Sequence, residues 1–224
     1  MTEADIGPLA ALYRQVWIRR DGARQLLDPN SPANFEKTGG MFRIQDERGL
    51  SRLLADPSEY VWVAREGGRL LGALWCGLTD EKYADPSRIV PYEGCADLPE
   101  RVARGLAAKT LYFSKEILVA RDARGDGLPE ALLDTAMRFF RSRGYEQSVG
   151  EVYHVRAVRD EAGARAVGLF NEASLRMLSR TGCRLVGEFP PCVVRADGFD
   201  ALISMRIVRW DLDNSLRTAK ERRT

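Results

Sequence analysis

Ile117-Leu118-Val119-Ala120-Arg121-Asp122-Ala123-Arg124-Gly125-Asp126-Gly127-Leu128-Pro129 joins a strand to a helix. Leu111 to Val119 reads as the strand. Leu128 to Arg143 reads as the helix, with Leu128, Leu132, Thr135, Ala136, Phe139 and Phe140 on one face and Gly144 as its stop. Between them lie Arg124, Gly125 and Gly127. The first N–H groups of a helix have no partner within it, and the helix dipole favours negative charge there. Glycines let a ligand approach the main chain closely, and an arginine adds a charged fork. The stretch therefore predicts a seat for a phosphate or pyrophosphate. It is not a P-loop, because no Gly-Lys-Ser/Thr follows. It is not the dinucleotide fingerprint either, because the third glycine is absent. A turn that needs glycines only for its own geometry has the same appearance.

Outward from this turn, strands and helices alternate. Asp5 to Arg19 reads as an amphipathic helix with Leu9, Leu12, Tyr13, Val16 and Trp17 on one stripe. Gly22 to Gly40 reads as loop and Gly49 to Leu54 as a short helix. Tyr60 to Ala64 and Leu70 to Gly77 form a hairpin about Glu66-Gly67-Gly68. Asp80 to Ala108, with Pro86, Pro91, Gly94 and Pro99, reads as a long irregular excursion. Gln147 to Val155 is a strand, Asn171 to Arg180 a helix ended by Gly182, and Ala201 to Trp210 a last strand. This order predicts an α/β (α+β) fold, a mixed sheet with helices on its faces.

Composition sets the outer limits. Of 224 residues, 45% are hydrophobic and 29% charged, which suits a soluble globular protein able to bury a full core. Lys and Arg number 34 against 32 Asp and Glu, a balance that offers no footprint for nucleic acid. Arg217, Lys220, Arg222 and Arg223 make the tail locally basic and read as a solvated end. Cys76, Cys95, Cys183 and Cys192 show no C-x-x-C spacing and His154 is the single histidine, so no metal site is expected. Acidic residues stand where a signal peptide carries positive charge. No stretch approaches the ~18 apolar residues of a membrane span. A reducing cytoplasm with buried free thiols is the expectation.

Val119 followed by Arg124-Gly125-Asp126-Gly127-Leu128-Pro129 resembles the coenzyme A signature of the GNAT superfamily of N-acyltransferases: Gln or Arg, two residues, Gly, one residue, then Gly or Ala. Arg124 and Gly127 match. Pro129 departs and removes one N–H, which a first helical turn tolerates. Asn171 to Cys183 resembles the family's later helix, in which Asn is followed by Ala or Ser, Tyr, Gly and an aromatic. Asn171, Ser174 and Gly182 fit; Leu178 stands for the tyrosine and Cys183 for the aromatic. The resemblance covers roughly Tyr60 to Trp210.

The resemblance implies a GNAT-like central sheet, largely antiparallel, with helices on both faces. It implies one domain over residues 1–224, with a helical segment at 1–58 and insertions near 80–108 and 156–170. It also implies acetyl-coenzyme A as acyl donor and direct attack by the amine of a small molecule or peptide, and it admits a homodimer. Ile117, Leu118 and Val119 would expose backbone to the pantetheine arm. Arg124, Gly125, Asp126, Gly127, Leu128 and Pro129 would hold the pyrophosphate, with Asn171 and Ser174 facing the cofactor arm. The attacking amine must be neutral, which calls for a base. Glu116 is the first candidate; Glu151 and Tyr153, which alternation puts on one face of the next strand, are the others. His154 then points away and packs. Leu178 cannot donate the proton that the family's tyrosine gives the leaving thiolate, which leaves Tyr153, Tyr112 or solvent. The family's first strand is missing, very short or replaced by Met41 to Ile44. The two insertions are candidate walls of the acceptor pocket, with Tyr83, Tyr92 and Glu93 as lining residues. Two further readings compete: a coenzyme A-binding regulatory module with little turnover, and a structural domain whose glycine turn binds nothing.

Overall fold

The computed structural model describes residues 1–28, 30–42 and 44–213. The basic residues of the tail lie outside the described residues. The expected elements appear as α1 (Ile6–Val16), α4 (Glu47–Ala55), β1 (Glu59–Glu66), β2 (Arg69–Gly77), β4 (Leu111–Val119), α6 (Leu128–Arg141), β5 (Gln147–Asp160), α7 (Glu172–Ser179) and β9 (Phe199–Asp211).

Three stretches depart from the sequence reading. The supposed loop at 22–40 holds α2 (Arg20–Leu26) and α3 (Phe35–Thr38). The short α3 exists because Asn34 caps it, accepting the Glu36 N–H at 2.9 Å. The excursion at 80–108 holds 3₁₀ turns at Glu81–Tyr83 and Pro86–Arg88, the two-residue β3 (Val90–Pro91) and α5 (Leu98–Ala108). Pro99 lies in the first turn of α5, where it starts the helix rather than breaking it. Leu98, Val102 and Gly105 give α5 its buried stripe. The stretch 156–170, expected as an insertion, is a strand pair: β5 runs on to Asp160 and returns as β6 (Gly163–Phe170). Beyond α7, β7 (Arg184–Glu188) and β8 (Cys192–Ala196) precede β9. Among the described residues no strand precedes α1, and Met41 makes only a single parallel bridge to Trp17.

One sheet in the order β1-β2-β4-β5-β9-β7-β3 joins these strands, with β6 on β5 and β8 on β9. Every pairing is antiparallel except β4 with β5. Helices α6 and α7 cover one face, packing on Leu74, Tyr112, Val152, Val208 and Trp210. Phe140 of α6 stacks on Tyr112 at 3.8 Å. Burying a side chain such as Phe140 or Leu74 stabilises the fold by about 1.5–3 kcal/mol. The other face carries α1 and α4 over Ala73 and Leu118, the α2–α3 segment over Val155 and Ile203, and α5 over Phe113 and Val149.

The feature that positions everything else is a fork. Parallel pairing of β4 with β5 runs from Leu111↔Gln147 to Ser114↔Gly150 and stops. Strand β4 continues to Val119 on β2, with Lys115 as an extra residue between Cys76↔Ser114 and Trp75↔Glu116. Such a bulge bends the strand that carries it. Farther along β5, the freed edge is taken by β6 from His154↔Phe170 onward. The Asn171 N–H donates to the Tyr153 carbonyl at 3.0 Å where β6 gives way to α7.

Glycine is required at the crotch of the fork. A Cβ on Gly150 would lie 2.8 Å from the Ser114 carbonyl oxygen, a backbone atom that cannot swing aside. Gly150→Ala is expected to destabilise the protein by about 1–3 kcal/mol, the usual range for overpacking. A denaturant titration checks this; an unchanged midpoint refutes the crowding argument.

Candidate active site

The mouth of the fork is the start of α6. Gly127 is its N-cap, with φ 72°, and contributes no side-chain cap. Gly125 has φ 105°, and neither glycine has any atom within 4 Å of where a Cβ would stand. The turn is thus left-handed backbone open to its surroundings. The first bond into the helix is from the Ala131 N–H to the Gly127 carbonyl at 3.0 Å, so the N–H groups before it have no helical partner. Pro129 takes the second helical position and withdraws one donor.

A cleft of about 300 Å³ runs from this turn along the freed arm of β4. Ile117, Leu118, Val119, Arg124, Gly125, Gly127, Pro129, Asn171 and Ser174 all line it, so most of the cofactor residues expected from sequence come together. Asp126 is exposed and Leu128 turns into the core, so neither side chain lines the cleft. Asn171 is buried, and its side-chain oxygen accepts the Ser174 N–H at 3.0 Å. That side chain serves first to cap α7. Arg124 donates through Nη1 to the Thr38 carbonyl at 2.8 Å and through Nε to the Val119 carbonyl at 3.5 Å. It ties the turn to the segment Lys37–Met41, which forms the facing wall. Glu130 and Arg180 pair at 2.9 Å between α6 and α7 at the same mouth.

The wall at Lys37 to Met41 was not legible as part of the site. Gly39-Gly40 signals only a turn, and no local pattern links residue 38 to residue 124. The segment is placed by tertiary bonds: the Met41 N–H to the Val16 carbonyl at 3.0 Å and the Ile18 N–H to the Met41 carbonyl at 2.9 Å.

The three catalytic candidates lie beside the cleft rather than in it, on the face that carries α1 and α5. Glu116 accepts a short hydrogen bond from the Tyr13 hydroxyl of α1. It borders a small apolar space with Leu9, Trp75 and Leu118. Burial lifts its carboxyl to about 7, against the Tyr13 hydrogen bond and the charges of Lys82 and Lys115. Glu151 pairs with the Lys82 ammonium. Burial lifts the Glu151 carboxyl, and Lys82 opposes that rise. The direct ammonium–carboxylate contact is the stronger constraint, so the pair is read as ionised. Burial also works against the Lys82 charge, but Glu151 and Asp80 outweigh it and hold the ammonium above its ordinary value. The Tyr153 ring packs on Phe42 at 6.1 Å.

The remaining candidates fall away from the site. Tyr112 is fully buried against Phe140 and reaches no ligand as an acid. Tyr83 is buried between Phe113 and Phe189, its hydroxyl near Glu151 but outside hydrogen-bond geometry. The Tyr92 hydroxyl donates to Glu188 at 3.2 Å, and Glu93 is exposed. None of these three lines the cleft. Leu178 lies on the core-facing side of α7. His154 packs edge-on to Phe170 at 5.9 Å. No helix among the described residues is long and apolar enough to cross a membrane.

Solved structures share this architecture. An N-acetyltransferase from Staphylococcus aureus Mu50 is 16% identical over 95% of each chain, with a TM-score of 0.53. A ribosomal-protein-alanine N-acetyltransferase from Brucella melitensis is 18% identical over 94% of this chain and 96% of that one, with a TM-score of 0.51. The ribosomal-protein-S18-alanine N-acetyltransferase from Escherichia coli is 11% identical over 95% of this chain and 90% of that one, with a TM-score of 0.54. At such identities the likeness is one of fold. No curated protein matches the chain in sequence. Residues 21–173, more than half of the chain, match the acetyltransferase (GNAT) family. The chain belongs to this family of acetyl-coenzyme A-dependent acyltransferases.

Proposed function

We propose that the chain is an N-acetyltransferase, moving the acetyl group of acetyl-coenzyme A directly to a primary amine of a small molecule or peptide. The divergence of β4 from β5 after Ser114↔Gly150 carries this reading. It leaves Ile117 to Val119 without a strand partner on one side, as a slot for an extended amide-bearing arm. The open turn at Gly125 and Gly127 offers N–H groups to a pyrophosphate, and Arg124 adds charge. The residues present therefore fit the cofactor. Bound there, acetyl-coenzyme A supplies a thioester as the acyl donor.

The chain's own groups then handle one proton. An amine arrives largely as ammonium at neutral pH and must lose a proton to attack. Glu116 sits two residues past the fork, with a carboxyl lifted to about 7, near the working range that suits a general base. Glu151 is the counter-ion of Lys82, and Tyr153 stands beside it on the same face. With Leu178 in the core, the leaving thiolate takes its proton from solvent or from Tyr153. Four free cysteines accord with a reducing cytoplasm.

Gly127→Glu is expected to abolish measurable coenzyme A binding, because it puts a side chain and like charge into the phosphate seat. Arg124→Ala is expected to weaken binding by ~1–3 kcal/mol, and the loss should shrink at high salt. Calorimetry on folded variants checks both. Unchanged affinity in Gly127→Glu removes the site.

Turnover is read as thiol release from acetyl-coenzyme A across alkyl amines, amino acid amides and short peptides. Because the base works ionised, kcat/KM should fall as pH drops through about 7. Glu116→Gln should lower the rate at neutral pH by ~10²–10⁴ and leave cofactor affinity unchanged. The deficit should fade at high pH, where the amine is already neutral. Coincident profiles for wild type and variant make Glu116 a structural carboxylate.

A further inference from the structure

Three cations line the cleft: Lys37, Arg124 and Arg180. Arg124 is held within it, donating to the Thr38 and Val119 carbonyls. Arg180 is matched by Glu130 at 2.9 Å. Lys37 differs from both. It is exposed on the wall that faces the glycine turn, and among the described residues no carboxylate pairs with it. An ammonium without a counter-charge, in the same cleft as a phosphate turn, is free to take an anion.

The backbone that carries Lys37 is fixed by its neighbours. Asn34 is buried and caps α3, accepting the Glu36 N–H at 2.9 Å and donating to the Asp28 carbonyl at 2.9 Å. Phe35 is buried against Phe42, with ring centroids 5.8 Å apart. On one side of Lys37, the Glu36 carboxylate accepts the Phe170 N–H at 3.3 Å. On the other, the Thr38 carbonyl accepts Arg124 at 2.8 Å. Gly39 then lies against Asn171, where a Cβ would stand 3.3 Å from the side-chain amide. The residues flanking Lys37 thus bind across the cleft and hold it opposite the turn.

Coenzyme A carries phosphate in two places, and the cleft treats them differently. With the acyl arm in the slot along Ile117 to Val119, the pyrophosphate falls at the turn, where helix N–H groups and Arg124 meet it. The nucleotide end, with its 3′-phosphate, lies farther out, where the lining is exposed. We propose that Lys37 is a specificity-determining residue of this site: it pairs with the 3′-phosphate and makes the protein choose coenzyme A over its 3′-dephospho form. The inference rests on the cofactor lying in this cleft. Helix α3 then does more than cover the sheet, since it supplies the second phosphate contact from the opposite wall.

Calorimetry with coenzyme A and with 3′-dephospho-coenzyme A tests this. Wild type should bind coenzyme A roughly 10–100-fold more tightly, the range for a hydrogen bond to a charged group. That preference should shrink as salt rises. Lys37→Met keeps the length and removes the charge, so it should bind both ligands as wild type binds the dephospho form. Lys37→Arg should keep the preference. Arg124→Ala should weaken both ligands alike, because both carry the pyrophosphate. A preference that survives Lys37→Met overturns the inference, as does a wild type without one. Equal weakening of both ligands by Lys37→Met also overturns it and moves Lys37 to the pyrophosphate. If Lys37→Met does not fold, Lys37→Gln is read in its place. Failure of the cofactor assignment is separately visible, because wild type then binds neither ligand.

Discussion

Strands β4 and β5 share four residue pairs and then part, and the rest of the molecule is arranged around that parting. A parallel pair that stops mid-sheet leaves backbone N–H and C=O groups without a ladder, a costly state for buried chain. The structure handles the two arms differently. On β5 the freed edge passes to β6, with the Asn171 N–H on the Tyr153 carbonyl at the junction. On β4, Ile117 to Val119 stay open and form the cleft wall. The fork holds because Gly150 lets the strands touch at its base and the Lys115 bulge bends β4 away just beyond it.

The fork also sorts the chemistry by face. Toward α6 it offers helix N–H groups without a side-chain cap, and Arg124 bridges from the turn to Thr38 of α3. Toward α1 and α5 it offers Glu116, Glu151, Lys82 and Tyr13, an environment for moving a proton. Side-chain alternation along β4 puts Glu116 and Leu118 on one face and Ile117 on the other. The glycine turn and the carboxylates therefore flank the same short gap without sharing groups.

Much of this was legible before any coordinates. The turn from Arg124 to Pro129, the hairpin at Gly67-Gly68 and helix α6 rest on glycines, proline and apolar stripes that act over a few residues. So do the cap of α7 and its stop at Gly182. The misreadings share one cause. Pro99 reads as a breaker in a stretch already holding Pro86 and Pro91, yet a proline in a first turn begins a helix, and only the core under α5 shows which applies. Likewise Arg156 to Phe170 carries too many charged and small residues to read as two strands, and only the pairing of β5 with β6 and β9 shows that the chain turns back at Asp160 and Gly163.

The glycine turn from Arg124 to Pro129, the order of the principal strands and helices, and the residues of β4 and β5 that share a face can all be read along the chain. These follow from backbone propensity and from periodicities that a single segment expresses. Tertiary structure alone decided that Thr38 meets Arg124, that Lys82 reaches Glu151, that Tyr13 bonds Glu116 and that Leu178 goes to the core. Each of these pairs residues from different elements. Their contacts carry no local signal, because they exist only once the sheet has forked and the helices have closed over it.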